Sequence, residues 1–271
     1  MRFNGVNDNS TQGKRYTQTG CKFTHTNAAT ITMTPDGLDS LARVIVKNQG
    51  GRITSVILRS ALTCALTTAG AGGLDTGSEA NNKGYYVFLI TKPNGKVPKL
   101  LCSLSETSPT MPSGYPFCSD PLWFISNNGD GDIREFVDSN GWCYYTEVND
   151  CALVTSGIAD GDWAVLDASV HAPNNSRVLL NTYCRNKSSS QWNSVRITFD
   201  DNDDSSVGNN RTIHHASAIR NANGAPGSHF AYEHPLVAAA TGIYYFWALS
   251  QSSGGTYVAN FSMYLRAWTL T

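Results

Sequence analysis

Residues 43–58 read Arg43-Val44-Ile45-Val46-Lys47-Asn48-Gln49-Gly50-Gly51-Arg52-Ile53-Thr54-Ser55-Val56-Ile57-Leu58. Two β-branched runs flank a turn that ends in a glycine pair, the pattern of a β-hairpin. Upstream, Ala29-Thr30-Ile31-Thr32-Met33-Thr34 alternates apolar with polar residues and stops at the turn tripeptide Pro35-Asp36-Gly37. Downstream, Tyr85–Ile90 and Lys99–Leu104 flank Lys92-Pro93-Asn94-Gly95. Leu122–Ile125 and Ile133–Val137 flank Asn127-Asn128-Gly129-Asp130-Gly131. These spacings predict two further hairpins.

The second half continues in the same style. Trp163–Asp167 precedes Arg177–Cys184, and Val195–Phe199 alternates. Ile243–Leu249 and Tyr257–Leu265 surround Ser252-Ser253-Gly254-Gly255, and Met263–Trp268 keeps a period of two. No window of helical length shows a 3.6-residue period. Short strands with Gly and Asn turns predict an all-β fold, an antiparallel β-sandwich of jelly-roll-like form with an extended N-terminal arm. The expected division is an arm at 1–25, a first β region at 26–150 and a second at 151–271. The last two are either separate or one continuous domain.

Composition narrows the function classes. The 271 residues carry 20 Lys+Arg against 21 Asp+Glu, a formal charge of -1. That balance supplies no basic field for phosphates, so nucleic acid is not an expected partner. Charged residues make up only 15%, with Gly, Ser, Thr and Asn in their place, as on secreted or virion-exposed β proteins. The opening residues lack the apolar core of a secretory signal, and no apolar run is long enough for a membrane helix. Membrane insertion is therefore not expected.

Residues 1–25 hold Arg2, Lys14, Arg15 and Lys22 against Asp8, a net +3, and show no apolar periodicity. The remainder is net -4. This segment reads as an attachment arm for an acidic partner subunit.

Seven cysteines (Cys21, Cys64, Cys102, Cys118, Cys143, Cys151 and Cys184) include no C-x-x-C, which argues against a zinc ribbon. Apolar contexts such as LTCAL and LLCSL predict buried thiols acting as small hydrophobes. Cys143 and Cys151, around Asn149-Asp150, are the one pair that the spacing offers for a disulfide. His214 and His215 would point to opposite faces of a strand, and His229 with His234 has no metal-site spacing. Asp200–Asp204 is either a solvated loop or a calcium loop, lacking the glycine and distal Glu of an EF-hand. No metal and no cofactor is expected.

The run Gly70–Tyr115, GAGGLDTGSEANNKGYYVFLITKPNGKVPKLLCSLSETSPTMPSGY, resembles a segment of tail-fibre and other virion structural proteins of tailed bacteriophages. In that family a GGLDTG turn leads to an aromatic strand, a short hairpin, a strand ending in LS and a PTLPSGY turn. Here these are Gly72–Gly77, Tyr85–Ile90, Lys92–Lys96, Leu100–Ser105 and Pro109–Tyr115. Cys118 and Asp120 depart from the family's basic residues and glycine, and Lys83-Gly84 departs from its small-polar-Trp pattern. The resemblance implies a structural protein of the virion, assembled in the host cytoplasm. The physics of the segment is that of a scaffold: glycines allow close approach, and Asp75 can accept from local amides.

Recognition residues are sought among aromatics in polar settings. Trp192 and Asn193 follow Lys187-Ser188-Ser189-Ser190-Gln191, and Trp142 alternates with Tyr144. Ring faces beside amides and hydroxyls suit a host surface glycan. Tyr245 and Trp247, in an aromatic run that continues to Tyr264 and Trp268, exceed what one face of a strand can bury. They predict a subunit interface, and the resemblance makes a homotrimer the expected closure. No catalytic residues are expected. A depolymerase would draw on carboxylates such as Glu135, Asp138, Glu147 and Asp150, but no nucleophile elbow or phosphate loop is present. The expected function is a tail fibre or tail-tip adhesin, with a head fibre or capsid-decorating protein as the alternative and a depolymerase third.

Overall fold

The computed structural model describes residues 18–147, 152–154, 163–173, 176–185, 193–199, 212–218, 228–235, 245–252 and 260–270. In chain order the strands begin with β1 (Gln18–Thr19), β2 (Cys21–Asn27), β3 (Thr30–Pro35), β4 (Ala42–Asn48), β5 (Ile53–Leu58) and β6 (Leu62–Ala65). Next come β7 (Gly84–Lys92), β8 (Lys96–Ser103), β9 (Phe117–Cys118), β10 (Trp123–Ser126), β11 (Phe136–Ser139) and β12 (Trp142–Tyr145). The rest are β13 (Ala152–Val154), β14 (Trp163–Asp167), β15 (Ser176–Arg185), β16 (Asn193–Phe199), β17 (Thr212–Ala218), β18 (Ser228–Pro235), β19 (Tyr245–Ser252) and β20 (Asn260–Leu270).

The strands form three sheets. A seven-stranded sheet runs β1-β4-β9-β7-β10, with β5 on β4 and β8 on β7. A nine-stranded sheet runs β18-β15-β20-β12-β11-β2-β3-β6, with β13 on β20. A four-stranded sheet runs β14-β19-β16-β17. The large sheet draws on both halves of the chain, because β12 lies between β11 and β20. Among the described residues the named strands all pair antiparallel, and the fold is an all-β sandwich.

Alternation along the strands explains the sandwich. In β4 the buried residues are Ala42, Val44 and Val46, and in β3 Ile31 and Met33, so each strand offers one apolar face. The two larger sheets bring these faces into one continuous core. At its centre, Trp123 of β10 stacks on Phe23 of β2 at 5.0 Å between centroids and 10° between planes. Trp268 of β20 lies 4.9 Å from Trp123, and Phe136 of β11 lies 5.8 Å away. The Trp268 indole donates to Tyr145 Oη at 3.3 Å, and that hydroxyl donates to the carbonyl of His171. The buried polar atoms of these two rings are thereby satisfied.

A short parallel connection joins the edges of the two sheets. The Gly72 amide donates to Leu100 O at 2.8 Å and the Asp75 amide to Cys102 O at 2.8 Å, along β8. On the other side the Ala65 amide of β6 donates to Gly72 O at 2.9 Å. Gly73 makes this approach possible: a Cβ there would sit 1.9 Å from Thr68 O. Asp75 then holds a second layer. Its Oδ2 accepts from Ser103 Oγ at 2.7 Å and from the Thr110 amide at 2.8 Å. Residues of the following turn, Met111 and Tyr115, cover the outer face of β7 and β8 over Phe88, Ile90 and Leu101.

Several sequence expectations change. The 1–25 arm is too long, because residues 18–25 already lie in β1 and β2, and Phe23 is 1% exposed in the core. Alternation of Cys21, Phe23 and His25 marks that strand; the basic residues around it obscured the pattern. The third expected hairpin closes only at its turn, where Asn127 bridges Ile133 antiparallel and the Arg134 amide donates to Ser126 O at 2.8 Å, and its arms then part. β10 pairs with β7 of one sheet and β11 with β2 and β12 of the other, so the chain crosses between sheets at Asn127. The buried Asn127 side chain anchors one side of the crossing, where its Nδ2 donates to Ala80 O and its Oδ1 accepts from the Lys83 amide, and the Ile133 amide anchors the other by donating to Ala28 O. Of the terminal aromatics, Trp268 faces the core. The register of β15 on β20 skips Arg266, a bulge that turns both Leu265 and Trp268 inward.

Two outcomes follow from this packing. Trp123→Ala removes the ring shared by both sheets and is expected to cost about 3–5 kcal/mol in urea denaturation. Asp75→Ala leaves Ser103 Oγ and the Thr110 amide without their acceptor and is expected to cost on the order of 1–3 kcal/mol. Limited proteolysis of that variant should cut first within residues 105–115.

Candidate functional site

The site is built on the outward face of the nine-stranded sheet. On β12, Cys143 and Tyr145 point into the core, which leaves Trp142 and Tyr144 on the other face. Their rings lie 6.2 Å apart and are tilted by 35°. Tyr144 is 39% exposed, and its cross-strand neighbour Val137 of β11 is 53% exposed.

The register extends this row. Val137 faces Thr24 of β2, Thr24 faces Thr32 of β3, and Thr32 faces Thr63 of β6. With strands about 4.8 Å apart, the row from Tyr144 to Thr63 spans on the order of 20 Å. Thr26 and Thr32 share a hydroxyl–hydroxyl hydrogen bond of 2.7 Å, and Thr24 Oγ1 donates to Thr32 O at 3.3 Å. An aromatic and aliphatic end therefore grades into a ladder of hydroxyls that can both donate and accept.

The row itself, from Tyr144 and Val137 to Thr24, Thr32 and Thr63, carries no formal charge. Lys22, exposed on β2, is a cation of the folded sheet and not of a free arm. Toward the inner face, Asp138, opposite the buried Cys143, accepts from the Phe23 amide through Oδ2 at 3.0 Å. Burial, and then the nearby Asp138 charge, push the Cys21 thiol up to about 12, so it stays protonated at neutral pH. Glu135 Oε2 accepts from Thr146 Oγ1 at 3.0 Å. No cluster of three or more metal-ligating side chains occurs among the described residues. Nor is any helix among them long and apolar enough to cross a membrane.

The remaining sequence candidates separate. Arg2, Lys14, Arg15, Trp192, Asp150, Cys151 and Asp200–Asp204 lie outside the described residues. Asn193 opens β16 in the four-stranded sheet, opposite Ala218 and Ser252, and so shares no sheet with Trp142 and Tyr144. Tyr245 pairs with Asp167, and Trp247 with Val165 and Thr198. The threonines of β2, β3 and β6 were missed as site residues. The T-x-T spacing of Thr24 with Thr26 and of Thr30, Thr32 and Thr34 marks a hydroxyl face on β2 and on β3 singly, but not their alignment with each other or with Thr63.

No protein-family model matches the chain, and no curated protein matches it.

Proposed function

We propose that this chain is a non-enzymatic structural protein on the exterior of a tailed-phage particle, acting as a tail fibre or tail-tip adhesin. Its ligand class is a host surface glycan. The observation that carries the reading is the row from Trp142 and Tyr144 through Val137 to Thr24, Thr32 and Thr63. Sugar rings present apolar C–H faces and many hydroxyls, and this surface offers ring faces at one end and hydroxyls along the rest. The resemblance of Gly70–Tyr115 to phage fibre proteins supports the virion setting. Residues preceding β1, which include Arg2, Lys14 and Arg15, would attach the protein to other virion proteins.

The test is binding of purified protein to lipopolysaccharide and capsular polysaccharide of candidate hosts. Trp142→Ala with Tyr144→Ala is expected to weaken binding at least tenfold, about 1.4 kcal/mol, with an unfolding midpoint close to the parent's. Undiminished binding by the double variant removes this face from the reading. Release of reducing sugar would turn the reading toward a depolymerase.

A capsid-decorating or head-fibre role is the second reading. It is favoured by Ile53 and Ile57, 62% and 57% exposed on β5, a strand that pairs only with β4 among the described strands. Copy number per particle separates the two readings, with hundreds for a decorating protein and tens or fewer for a fibre. The adhesin reading carries a homotrimer in which Tyr245 and Trp247 lie at the subunit contact. Native mass spectrometry should give three times the 29.3 kDa chain mass, and Trp247→Glu should give a folded monomer. A parent protein that stays monomeric at all concentrations removes the trimer.

A further inference from the structure

The two sheet edges joined by residues 72–75 each carry a buried cysteine, Cys64 on β6 and Cys102 on β8. Their exposures are 1% and 0%, and their Sγ atoms lie 2.9 Å apart. Cys64 Sγ is also 3.5 Å from Gly73 O, so the glycine connection and the thiol pair occupy one spot. A disulfide bond is about 2.05 Å long, so about 0.9 Å of movement closes the gap. The residues are 38 apart in sequence, and the bond would tie one sheet to the other.

We propose that Cys64 and Cys102 form a disulfide that locks β6 to β8 when the chain meets a low-molecular-weight disulfide such as glutathione disulfide. The thiolate of one cysteine attacks a sulfur of the small disulfide, which forms a mixed disulfide and releases one small thiolate. The second cysteine, its proton lost to solvent, attacks the protein sulfur of that mixed disulfide, and the second small thiolate leaves. Two cysteine thiols are oxidised, one small disulfide is reduced, and two protons end on the released thiols.

Reducing conditions keep the pair as thiols, and conditions outside a cell favour the bond. The hydrogen bond with Cys64, and then burial, push the Cys102 thiol well above its ordinary range. Exchange in the closed sandwich is therefore slow, and the bond forms readily only before the sheet edges meet or when they part. Two competing thiols are also held protonated: burial pushes both Cys21 and Cys118 up to about 12, each with an acidic neighbour adding to the effect.

The full chain is refolded in a glutathione redox buffer and, separately, in dithiothreitol. Thiols are then blocked with iodoacetamide in denaturant, and the intact mass and peptide map are measured. The glutathione sample should carry two fewer blocked thiols than the seven of the reduced chain, with the Cys64 peptide joined to the Cys102 peptide. Its thermal midpoint should exceed that of the reduced protein by on the order of 5 °C. Cys64→Ala and Cys102→Ala should each lose both the linkage and the increment. Seven blocked thiols in both buffers, or a bond joining another pair, overturns the assignment in the parent protein without reference to the variants. A Cys64–Cys102 bond with an unchanged midpoint overturns the locking role.

Discussion

The stack of Phe23 on Trp123 is the contact on which the sandwich depends. The two rings come from different sheets, and Trp268 and Phe136 press on the same indole, so four strands meet at one side chain. Each large aromatic buries on the order of 200 Å². Strand registers follow from this placement. A slip of one residue in β2 would expose Phe23 and bury Lys22 or Thr24, an exchange far more costly than the loss of a backbone hydrogen bond. The bulge at Arg266 serves the same centre, since without it Leu265 and Trp268 could not both face inward.

Closure between the sheets has a different physical basis. Edge strands present unpaired amides and carbonyls, and β6 and β8 are both edges among the described strands. Residues 72–75 supply partners to both, which is why the connection must pass too near Thr68 for any side chain at position 73. Asp75 couples that closure to the outer layer, because the carboxylate beside β8 also holds the Thr110 amide. The glycines, the aspartate and the turn before Tyr115 therefore act as one device. Residues 72–75 with the turn at 109–115 thus close the two sheets and cover the outer face of β7 and β8.

What could be read from the sequence was local. The hairpins β4–β5 and β7–β8 are visible because two runs of suitable length border a Gly or Asn turn, and their pairing needs no distant partner. The crossing at Asn127 was illegible for the opposite reason. Its turn does close as in a hairpin, but Asn127 is bonded to residues 80–83 while the Ile133 amide donates to Ala28 O beside β2, and these distant partners take β10 and β11 into different sheets. β2 was hidden because Lys22 on its outward face reads as a continuation of the basic residues that precede it. Of the site, Trp142 and Tyr144 were legible as neighbours two apart on a strand. Thr24, Thr32 and Thr63 were not, because they come from three strands whose alignment is a property of the register.

The outward row inherits its rigidity from the inward one. β12 is paired on one side by β11 and on the other by β20, and Thr269 Oγ1 ties β20 back to Gly141 O at 2.7 Å. On its inner face Cys143 and Tyr145 are buried, with Tyr145 fixed by Trp268 and His171. The backbone that carries Trp142 and Tyr144 is thus held from two edges and from below, and the rings are set against each other by packing. Under the proposed glycan-binding reading, little backbone order would remain to be imposed when a sugar lay across them, which favours affinity through preorganisation. Under the same reading, presentation of several copies together would strengthen binding further, since each later contact is made at high effective concentration. Rigidity of the strand and multiplicity of the subunit would then act on the same free energy, one by lowering the ordering cost of each contact and the other by adding contacts.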